Sequence, residues 1–448
     1  MDYNLVMEFV IILACLLVGT RYGGFGLGLV SGIGVLLFAF VFHLPPGKPP
    51  IDVLLTIMSV LGCASVLQSA GGLNVMMRFA EKILRKHPNQ ITLLAPLTTW
   101  TLTVMCGTGH VVYTMFPIIY DIAIKKGIRP ERPMAVASIA SQIGICASPV
   151  SVAIVSMVAI LSKAPNFSIN ILQLLSIGMP ATLCGVIVAA LWSMHRGKDL
   201  DKDAEFQARI QDPVQKEYIY GETATLLDKV FPKEAYWATG IFFAAIAAVV
   251  LLGAFEGLRP VLGAVGKAKP LSMNLVIQIM MLSAGALILM ICKVKPQDIP
   301  NGTVFKAGMV AVISIFGVAW MADTVFEANF ELLKKSLQGV VTVYPWTYAI
   351  VLFITSKFVN SQAAAIVAIA PMAVSIGVDP KVMMAFLPAC YGYFILPTYA
   401  SDLACIGFDR SGTTRIGKYV INHSFIIPGL IGVGTGCGVG WLIVKTFY

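Results

Sequence analysis

Charged residues are scarce in this sequence of 448 residues, where Asp, Glu, Lys and Arg together make up only 12%. A soluble domain carries about 25% charged residues. The chain therefore has too little polar surface to cover a globule in water, which excludes a soluble enzyme or binding domain. Hydrophobic residues make up 57% of the chain and recur in continuous runs such as 242–252 and 276–291. These features indicate an integral membrane protein.

Further absences exclude other classes. The nine cysteines occur singly, without a CxxC pair, so the sequence predicts neither a metal site nor a disulfide framework, and no motif implies a cofactor. The net charge of +9 is not gathered into a basic patch interleaved with aromatics, which argues against a nucleic-acid partner. No basic region precedes the first apolar run, so residues 5–19 are predicted to be a retained helix.

Apolar runs long enough to span a bilayer, about 20 residues each, occur throughout the chain. Because unsatisfied backbone groups are costly in lipid, these continuous runs are predicted to be helices. In the first half, residues 1–195, we predict three spans, an amphipathic helix, a re-entrant hairpin, a broken span and a closing span. In that order they cover residues 5–19, 25–42, 53–69, 73–87, 91–120, 133–162 and 171–194.

The second half, residues 236–448, is predicted to repeat this order. Its elements cover residues 236–255, 273–292, 305–322, 325–343, 346–376, 382–408 and 420–444. Residues 196–235 between the halves form the one long polar stretch, and we interpret them as a cytoplasmic linker.

Basic residues flank the first hairpin on both sides, at 78–86 and at 125–132. Lys and Arg are enriched on the cytoplasmic side, so both flanks should lie inside, which a hairpin permits and a simple span does not. Its tip falls at the glycine-rich break 106–110. The same reasoning gives the second half the opposite orientation and both termini a periplasmic location. We therefore predict an all-α polytopic protein of two inverted-topology repeats.

Inverted repeats with interrupted helices are typical of secondary carriers, which bind their solute where the breaks meet near the middle of the membrane. Helix N-termini at the breaks offer free N–H groups and positive dipole ends. Such a site suits a carboxylate, and one site from each half suits a dianion. The residues themselves thus predict an anion carrier.

The predicted substrate site consists of residues at the four breaks. They are Thr108, Gly109, Ser148, Pro149, Val150 and Ser151 in the first half, and Lys357, Asn360, Ser361, Gln362, Thr398, Ser401 and Asp402 in the second. Helix capping explains the hydroxyl groups equally well, and tight-turn packing explains the polar tips.

Two charges in the second half fall at membrane depth, where charge is costly and usually functional. Lys357 is predicted to pair with a substrate carboxylate or with Asp402. In the alternative interpretation its side chain snorkels to the outer membrane–water interface. In one interpretation Asp402 has a functional role: it takes a proton, pairs with Lys357 or fixes the geometry of the loop. In the other, Asp402 is the N-cap of the helix that follows the break.

Four residues have predicted roles in gating or structure. Glu81 and Arg85 are four residues apart on one helix, which usually means a surface ion pair. Together with Arg129 they anchor a cytoplasmic gate in the alternative interpretation. His110 titrates or donates a hydrogen bond, or is a satisfied buried histidine.

Several segments carry a resemblance over essentially the whole chain: 106–114, 128–133, 148–152, 196–203, 356–365, 396–399 and 408–414. With these segments the sequence resembles the Dcu family of anaerobic four-carbon dicarboxylate carriers of bacterial inner membranes, and is closest to its DcuB type. One departure is Ala400, where the family pattern continues with proline.

The resemblance implies exchange of external fumarate, malate or aspartate for internal succinate by alternating access. It also implies an inner-membrane location, a homodimer and a membrane sensor kinase as partner. Exchange of one dianion for another is electroneutral, which agrees with the few acidic residues in the predicted spans.

Other functions remain as alternatives. Proton- or sodium-coupled uptake would use Asp402 or backbone carbonyls at the breaks. An intramembrane enzyme is less favoured, because no GxSxG-type nucleophile motif occurs. A channel is also less favoured, because rings of like charge and filter carbonyls are not evident.

Overall fold

The computed structural model describes residues 3–22, 25–49, 51–162, 164, 167, 169–221, 225–227, 229–262, 269–329, 344–397, 399–417 and 422–448. Helices dominate these residues. The only described strands are the two-residue β1 (Val261–Leu262) and β2 (Lys269–Pro270), which pair antiparallel. Six described helices are long and apolar enough to cross a membrane, or seven if one bent pair counts as a span. The prediction of an all-α polytopic membrane protein is therefore confirmed.

The first half and the linker contain eleven described helices. They are α1 (Tyr3–Tyr22), α2 (Gly26–Phe40), α3 (Ile51–Ser69), α4 (Gly72–Lys86), α5 (Ile91–Cys106), α6 (Val112–Lys125), α7 (Glu131–Ile143), α8 (Val152–Leu161), α9 (Ile171–Ser193), α10 (Ala204–Arg209) and α11 (Pro213–Tyr220). Helices α3 and α4 meet at 71°. Helix α4 carries the basic residues of the predicted amphipathic segment.

The second half contains eight described helices. They are α12 (Lys233–Ala254), α13 (Met273–Ile291), α14 (Thr303–Ala328), α15 (Thr347–Val359), α16 (Gln362–Ser375), α17 (Pro380–Ala385), α18 (Ala400–Phe408) and α19 (Ile426–Phe447). Short 3₁₀ turns complete the breaks at Gly109–Val111, Gly144–Ala147, Leu387–Cys390 and Tyr393–Ile395.

The helices pack in two groups. Helices α1, α2, α3, α12, α13 and α14 contact one another, and we call them the outer group. The hairpins α5–α6 and α15–α16, the broken spans α7–α8 and α17–α18 and the closing spans α9 and α19 form the inner group. Helix α8 contacts α3, and α16 contacts α14, so both groups enclose the space between them.

Helix α14 is longer than the predicted span 305–322. It continues through Val325 and Phe326 to Ala328, so the amphipathic helix predicted at 325–343 begins inside it; residues 330–343 lie outside the described part. The polar residues at this point are satisfied without ending the helix. Asp323 Oδ2 accepts from the backbone N–H of Lys48 at 2.7 Å, and Thr324 Oγ1 accepts from that of Gly47 at 3.0 Å.

The second break is also longer than the predicted 396–402. Helix α17 ends at Ala385, and regular helix resumes only at Ala400. Pro388 lacks a backbone donor. Gly392 approaches α15 so closely that a Cβ there would lie 2.2 Å from the Phe353 carbonyl oxygen. These two residues keep the chain from continuing as a regular α-helix, so the break begins well before the predicted residues 396–402.

One further boundary is corrected. The last span, predicted at 420–444, begins at Ile426, because the preceding residues include an isolated bridge between Ile416 and His423. The described part of the linker contains the short helices α10 and α11. The inverted orientation of the halves and the division at residues 195 and 235 stay predictions.

Candidate functional site

The first hairpin turns at two glycines. Helix α5 ends at Cys106 and is followed by Gly107, whose φ of 72° favours a residue without Cβ. Thr108 Oγ1 accepts from the backbone N–H of His110 at 3.3 Å and lies 2.8 Å from His110 Nδ1. A Cβ on Gly109 would lie 2.4 Å from Gln142 Nε2. The tip therefore docks closely onto α7 of the neighbouring broken span.

The second hairpin turns at Asn360, which has a φ of 48°. Ser361 caps α16 by accepting from the backbone N–H of Ala364 at 3.3 Å. Gln362 is 4% exposed, and its Nε2 donates to the Gln142 carbonyl oxygen at 2.7 Å. This tip also docks onto α7, so the two hairpins meet at the same helix.

Both tips line one cavity of about 460 Å³. The outer group contributes mainly apolar residues to its wall, among them Ile57, Leu61 and Val304. The inner group contributes Gly107, Thr108, Gly109, His110, Gln142, Val150, Asn360, Ser361, Gln362, Tyr393 and Tyr399. The described lining residues include no Asp, Glu, Lys or Arg.

Four helical segments begin at this cavity. The 3₁₀ turn before α6 begins at Gly109, α8 at Val152, α16 at Gln362 and α18 at Ala400, and each of these residues lines the cavity. Helix N-termini carry unpaired N–H groups and partial positive charge. Two of the four come from each half of the chain, so the cavity presents donors to an anion from both halves.

Both serines of the first break bond backbone groups of this region, and Ser151 caps α8. Ser148 Oγ accepts from the Val150 N–H at 3.3 Å. Ser151 Oγ donates to the Ile145 carbonyl oxygen at 2.7 Å and accepts from the Ile154 N–H at 3.2 Å. Both serines are fully buried, and neither they nor Pro149 line the cavity. Of this group only Val150 faces it.

Lys357 lies in the last turn of α15 and does not line the cavity. Its Nζ donates to the carbonyl oxygens of Leu396 at 3.1 Å and Tyr393 at 3.3 Å, and to Asn360 Oδ1 at 3.4 Å. A direct hydrogen bond to Asp402 is not among these three, and the pairing of Lys357 with Asp402 stays a prediction. The cation therefore joins the second hairpin to the carbonyls of the second break.

Asp402 lies in the first turn of α18, not in the break, and is 1% exposed. Its Oδ1 accepts from Ser138 Oγ of α7 at 2.8 Å. Within the described part of the chain, Asp402 Oδ2 and Ser401 Oγ have no hydrogen-bond partner. Neither residue lines the cavity. Thr398 lies outside the described residues.

Sequence reasoning missed a polar network between the halves. Tyr393 Oη donates to Gln142 Oε1 at 2.8 Å, and Gln362 Nε2 lies 3.3 Å from Tyr393 Oη. Cys146 Sγ lies 3.3 Å from Gln362 Oε1 and 3.4 Å from Cys390 Sγ. One signal was available, since Gln142 is the one amide side chain in the apolar run 133–161.

The residues assigned to a gate lie in two clusters. Arg85 bonds Glu81 Oε1 at 2.8 Å and Asp121 Oδ2 at 3.0 Å. Glu81 is fully buried, not at the surface, because it also accepts from Thr225 Oγ1 of the linker at 2.6 Å. Arg129 instead bonds Glu131 at 2.9 Å and Asp203 at 2.7 Å. Arg129 and the Glu81–Arg85 pair thus belong to separate ion-pair clusters, and a gating role for either cluster stays a prediction.

The helical spans, the paired hairpins and the cavity at their tips define a multi-pass membrane protein of the transporter type. A profile described as anaerobic C4-dicarboxylate membrane transporter matches residues 4–448, and the chain belongs to this family. It is 55% identical over 443 residues to the anaerobic C4-dicarboxylate transporter DcuB of Escherichia coli O6:H1, with 98% of each chain covered. It is 36% identical over 445 residues to the C4-dicarboxylate transporter DcuA of Wolinella succinogenes, covering 98% of this chain and 99% of the relative.

Solved structures with the same fold are more distant. The Alcanivorax borkumensis YdaH transporter matches with a TM-score of 0.57 at 14% identity, over 92% of this chain and 88% of the other. Neisseria gonorrhoeae MtrF matches with a TM-score of 0.53 at 13% identity, over 100% and 96%. The family and its relatives confirm the resemblance noted from the motifs, and they confirm that the chain is a transporter and not an enzyme.

Proposed function

We propose that this protein exchanges one four-carbon dicarboxylate for another across the bacterial inner membrane. The proposed substrates are fumarate, malate or aspartate entering and succinate leaving. The family and the names of the relatives support the substrate class. The observation that carries the proposal is the cavity at which four helical N-termini meet.

The cavity suits a dianion. A pocket for a small ligand typically measures about 300–1,000 Å³ and holds a few placed polar groups in an apolar wall. The N-termini at Gly109 and Val152 belong to the first half, and those at Gln362 and Ala400 to the second. We assign one carboxylate of the substrate to each pair, with Thr108, Asn360 and Ser361 as further polar contacts.

The described lining residues include no Asp or Glu that could carry a coupling proton or sodium ion, which supports exchange over ion-coupled uptake. A neutral cavity gains two negative charges on loading, and these are held only by dipoles and neutral donors. When the cavity is empty, the partial positive charges of the four helical N-termini lack an anion, and this disfavours movement of the empty inner group. We propose that the inner group moves against the outer group only when loaded, which couples entry of one dianion to exit of another.

The test uses purified protein in vesicles loaded with succinate or with buffer only, and labelled fumarate outside. We expect fast uptake that requires internal succinate and does not change with sodium or membrane potential. A matched pair of variants is Gly109→Val, which places bulk against Gln142 at the cavity, and Gly434→Val, at a position where an added Cβ would have no atom within 4 Å. Equal exchange by both variants would contradict the proposed site.

Ion-coupled net uptake is the second candidate, and it is favoured by the buried Oδ2 of Asp402, which has no hydrogen-bond partner among the described residues. A proton or sodium ion at this carboxylate would neutralise part of the substrate charge. Uptake into vesicles without internal succinate, driven by a proton or sodium gradient and lost in Asp402→Asn, would support this candidate over exchange.

The remaining proposals concern the orientation of the protein in the membrane and its protein partners. Periplasmic termini, a homodimer and a membrane sensor kinase as partner follow from the charge pattern and the family resemblance. Labelling of single cysteines added near residues 1 and 448 by an impermeant thiol reagent in intact cells tests the orientation of the termini. Labelling of neither position would contradict it.

A further inference from the structure

A second cavity, also of about 460 Å³, lies where the linker meets the ends of the inner group. It shares no lining residue with the central cavity. Its lining residues are Arg129, Glu131, Arg196, Arg415, Ile416, Gly417, Asn422, His423 and Ser424. Among the described lining residues, three arginines thus surround a space to which one carboxylate, that of Glu131, contributes. We call this space the arginine cavity.

Glu131 fixes two of the three arginines. Its Oε2 accepts from Arg129 Nε at 2.9 Å, and its Oε1 lies 3.1 Å from Arg196 Nη2. Ser424 Oγ donates to the same Oε1 at 2.6 Å. The side chains of Arg129 and Arg196 are only 9% and 17% exposed. One carboxylate shared in this way orients both guanidinium groups but cannot occupy all of their donors.

The third arginine is held loosely. Arg415 is 57% exposed, and its Nη1 lies 3.4 Å from Oε2 of Glu205, which is 75% exposed. Exposed ion pairs of this kind contribute little to stability. A ligand can therefore take the place of Glu205 without disturbing the buried bonds of Glu131.

Two further carboxylates approach from the linker but do not line the cavity. Asp203 bonds Arg129 Nη1 at 2.7 Å, and Glu205 contacts Arg415. Asp203 is part of the fixed framework, because it also caps α10. Glu205 is the one acidic group that a competing anion must displace.

We propose that the arginine cavity binds a multivalent oxyanion of the phosphate class, with Arg415 exchanging Glu205 for the ligand. Guanidinium groups suit this chemistry because their planar N–H donors match pairs of phosphate oxygens. The anion is either free in solution or the phosphate headgroup of an anionic lipid.

The cavity is connected to the second break. His423 Nδ1 accepts from the backbone N–H of Phe425 at 3.1 Å, so its Nε2 carries the proton and donates to the Ile395 carbonyl oxygen at 3.0 Å. Ile395 ends the 3₁₀ turn Tyr393–Ile395. His423, which lines the arginine cavity, therefore bonds directly to the 3₁₀ turn whose first residue, Tyr393, lines the central cavity.

The test is calorimetric titration of the purified full-length protein with inorganic phosphate, in detergent and in nanodiscs of phosphatidylglycerol. We expect saturable binding in detergent that weakens by at least about tenfold, the loss of roughly one charged contact, in Arg415→Gln. Glu205→Gln should bind phosphate more tightly, because the competing carboxylate is gone. Lys202→Gln, which removes an exposed cation of the linker outside the cavity, should match the parent protein.

The nanodisc experiment separates the two sources of the anion. Phosphate binding that persists in phosphatidylglycerol identifies a free oxyanion as ligand. Phosphate binding that disappears there, together with lipid retained by the parent and lost by Arg415→Gln, identifies the headgroup. Absence of phosphate binding in detergent, or binding that Arg415→Gln leaves unchanged, would overturn the proposal.

Discussion

Tyr391 and Tyr393 lie in one buried aromatic cluster, with ring centroids 4.8 Å apart, yet their hydroxyl groups have different surroundings. Tyr393 Oη donates to Gln142 Oε1 across the two halves. Tyr391 Oη has no partner within the described residues. A buried acceptor that loses its donor costs about 1–3 kcal/mol, whereas an unpaired hydroxyl can be removed at little cost.

Tyr393→Phe should therefore lower the free energy of unfolding by about 1–3 kcal/mol and slow exchange, because Gln142 no longer fixes the cavity wall. Tyr391→Phe removes the same atom from the same cluster and should change neither quantity. Thermal unfolding in detergent and fumarate–succinate exchange in vesicles measure the two effects. Equal losses in both variants would show that the Tyr393–Gln142 bond has no special role.

Single residues were the least predictable part of the site. The sequence placed Thr108, Gly109, Asn360, Ser361 and Gln362 at tips, and the structure puts them at one cavity. Ser148 and Ser151 were expected there but bond backbone N–H groups instead: Ser148 that of Val150 in the break, and Ser151 that of Ile154 in the first turn of α8, which an interrupted helix leaves unpaired. Whether a serine at a break faces the cavity or bonds the backbone depends on the direction of its side chain. Residue type and spacing do not reveal that direction.

At the scale of elements, the outer group is joined across the two halves by a close helix crossing. A Cβ on Gly28 of α2 would lie 2.1 Å from the carbonyl oxygen of Ile313 in α14. Gly32, one turn further along α2, has nothing within 4 Å of its Cβ position. Small residues allow this approach of two backbones in a membrane protein.

Gly28→Ala should force α2 and α14 apart and lower stability by about 1–3 kcal/mol, the usual cost of overpacking. Gly32→Ala is the control in the same helix, and it should keep or slightly raise stability because alanine favours helix. Thermal midpoints of the purified variants measure the difference. Identical midpoints would mean that the crossing adjusts freely.

The linker is held by ion pairs that depend on ionised carboxylates. Burial alone raises the pKa of the Asp203 carboxyl, but hydrogen bonds from Arg129 and from the backbone amides of α10 outweigh it and lower this pKa below its ordinary value. A lowered pKa means that these contacts stabilise the linker at neutral pH and are lost as the pH falls through the lowered value.

Asp203→Asn should accordingly loosen α10 at neutral pH. Hydrogen bonds to charged groups contribute about 1.5–3 kcal/mol, so local opening and tryptic cleavage at Lys202 or Arg209 should rise by about tenfold or more. Asp201→Asn is the control, since Asp201 is exposed and makes no described ion pair. Mass spectrometry measures the cleavage rates of both variants and of the parent protein. An unchanged rate in Asp203→Asn would show that other contacts hold the linker.

Element positions were predictable where long apolar runs set them, as for α9 and α13. They were not predictable where tertiary contacts override the local pattern. Helix α14 passes the polar pair Asp323 and Thr324 because backbone donors of Gly47 and Lys48 satisfy them. The second break starts early because Gly392 packs against α15, which is distant in sequence.

At the scale of the whole molecule, the proposed transport cycle requires the inner group to behave as one body. Cys146 in the first break and Cys390 in the second provide a test, because their Sγ atoms lie 3.4 Å apart and both thiols are free and buried. A disulfide has an S–S distance of about 2.05 Å, so a small shift allows the bond. The bond would join the two broken spans, one from each half.

Oxidation of the reconstituted protein by diamide, which takes up the two thiol hydrogens, should therefore link the broken spans. The exchange rate should stay within about twofold of that of the reduced protein. A free-energy cost of 1.4 kcal/mol would instead slow exchange about tenfold. The physical reason is that a rigid inner group moves as a unit, and a bond inside it does not hinder its motion against the outer helices. Cys146→Ser, which cannot form the bond, is the control, and thiol counting by mass reports the linked fraction. Exchange that falls with the linked fraction and returns on reduction would show instead that the two broken spans separate during each cycle.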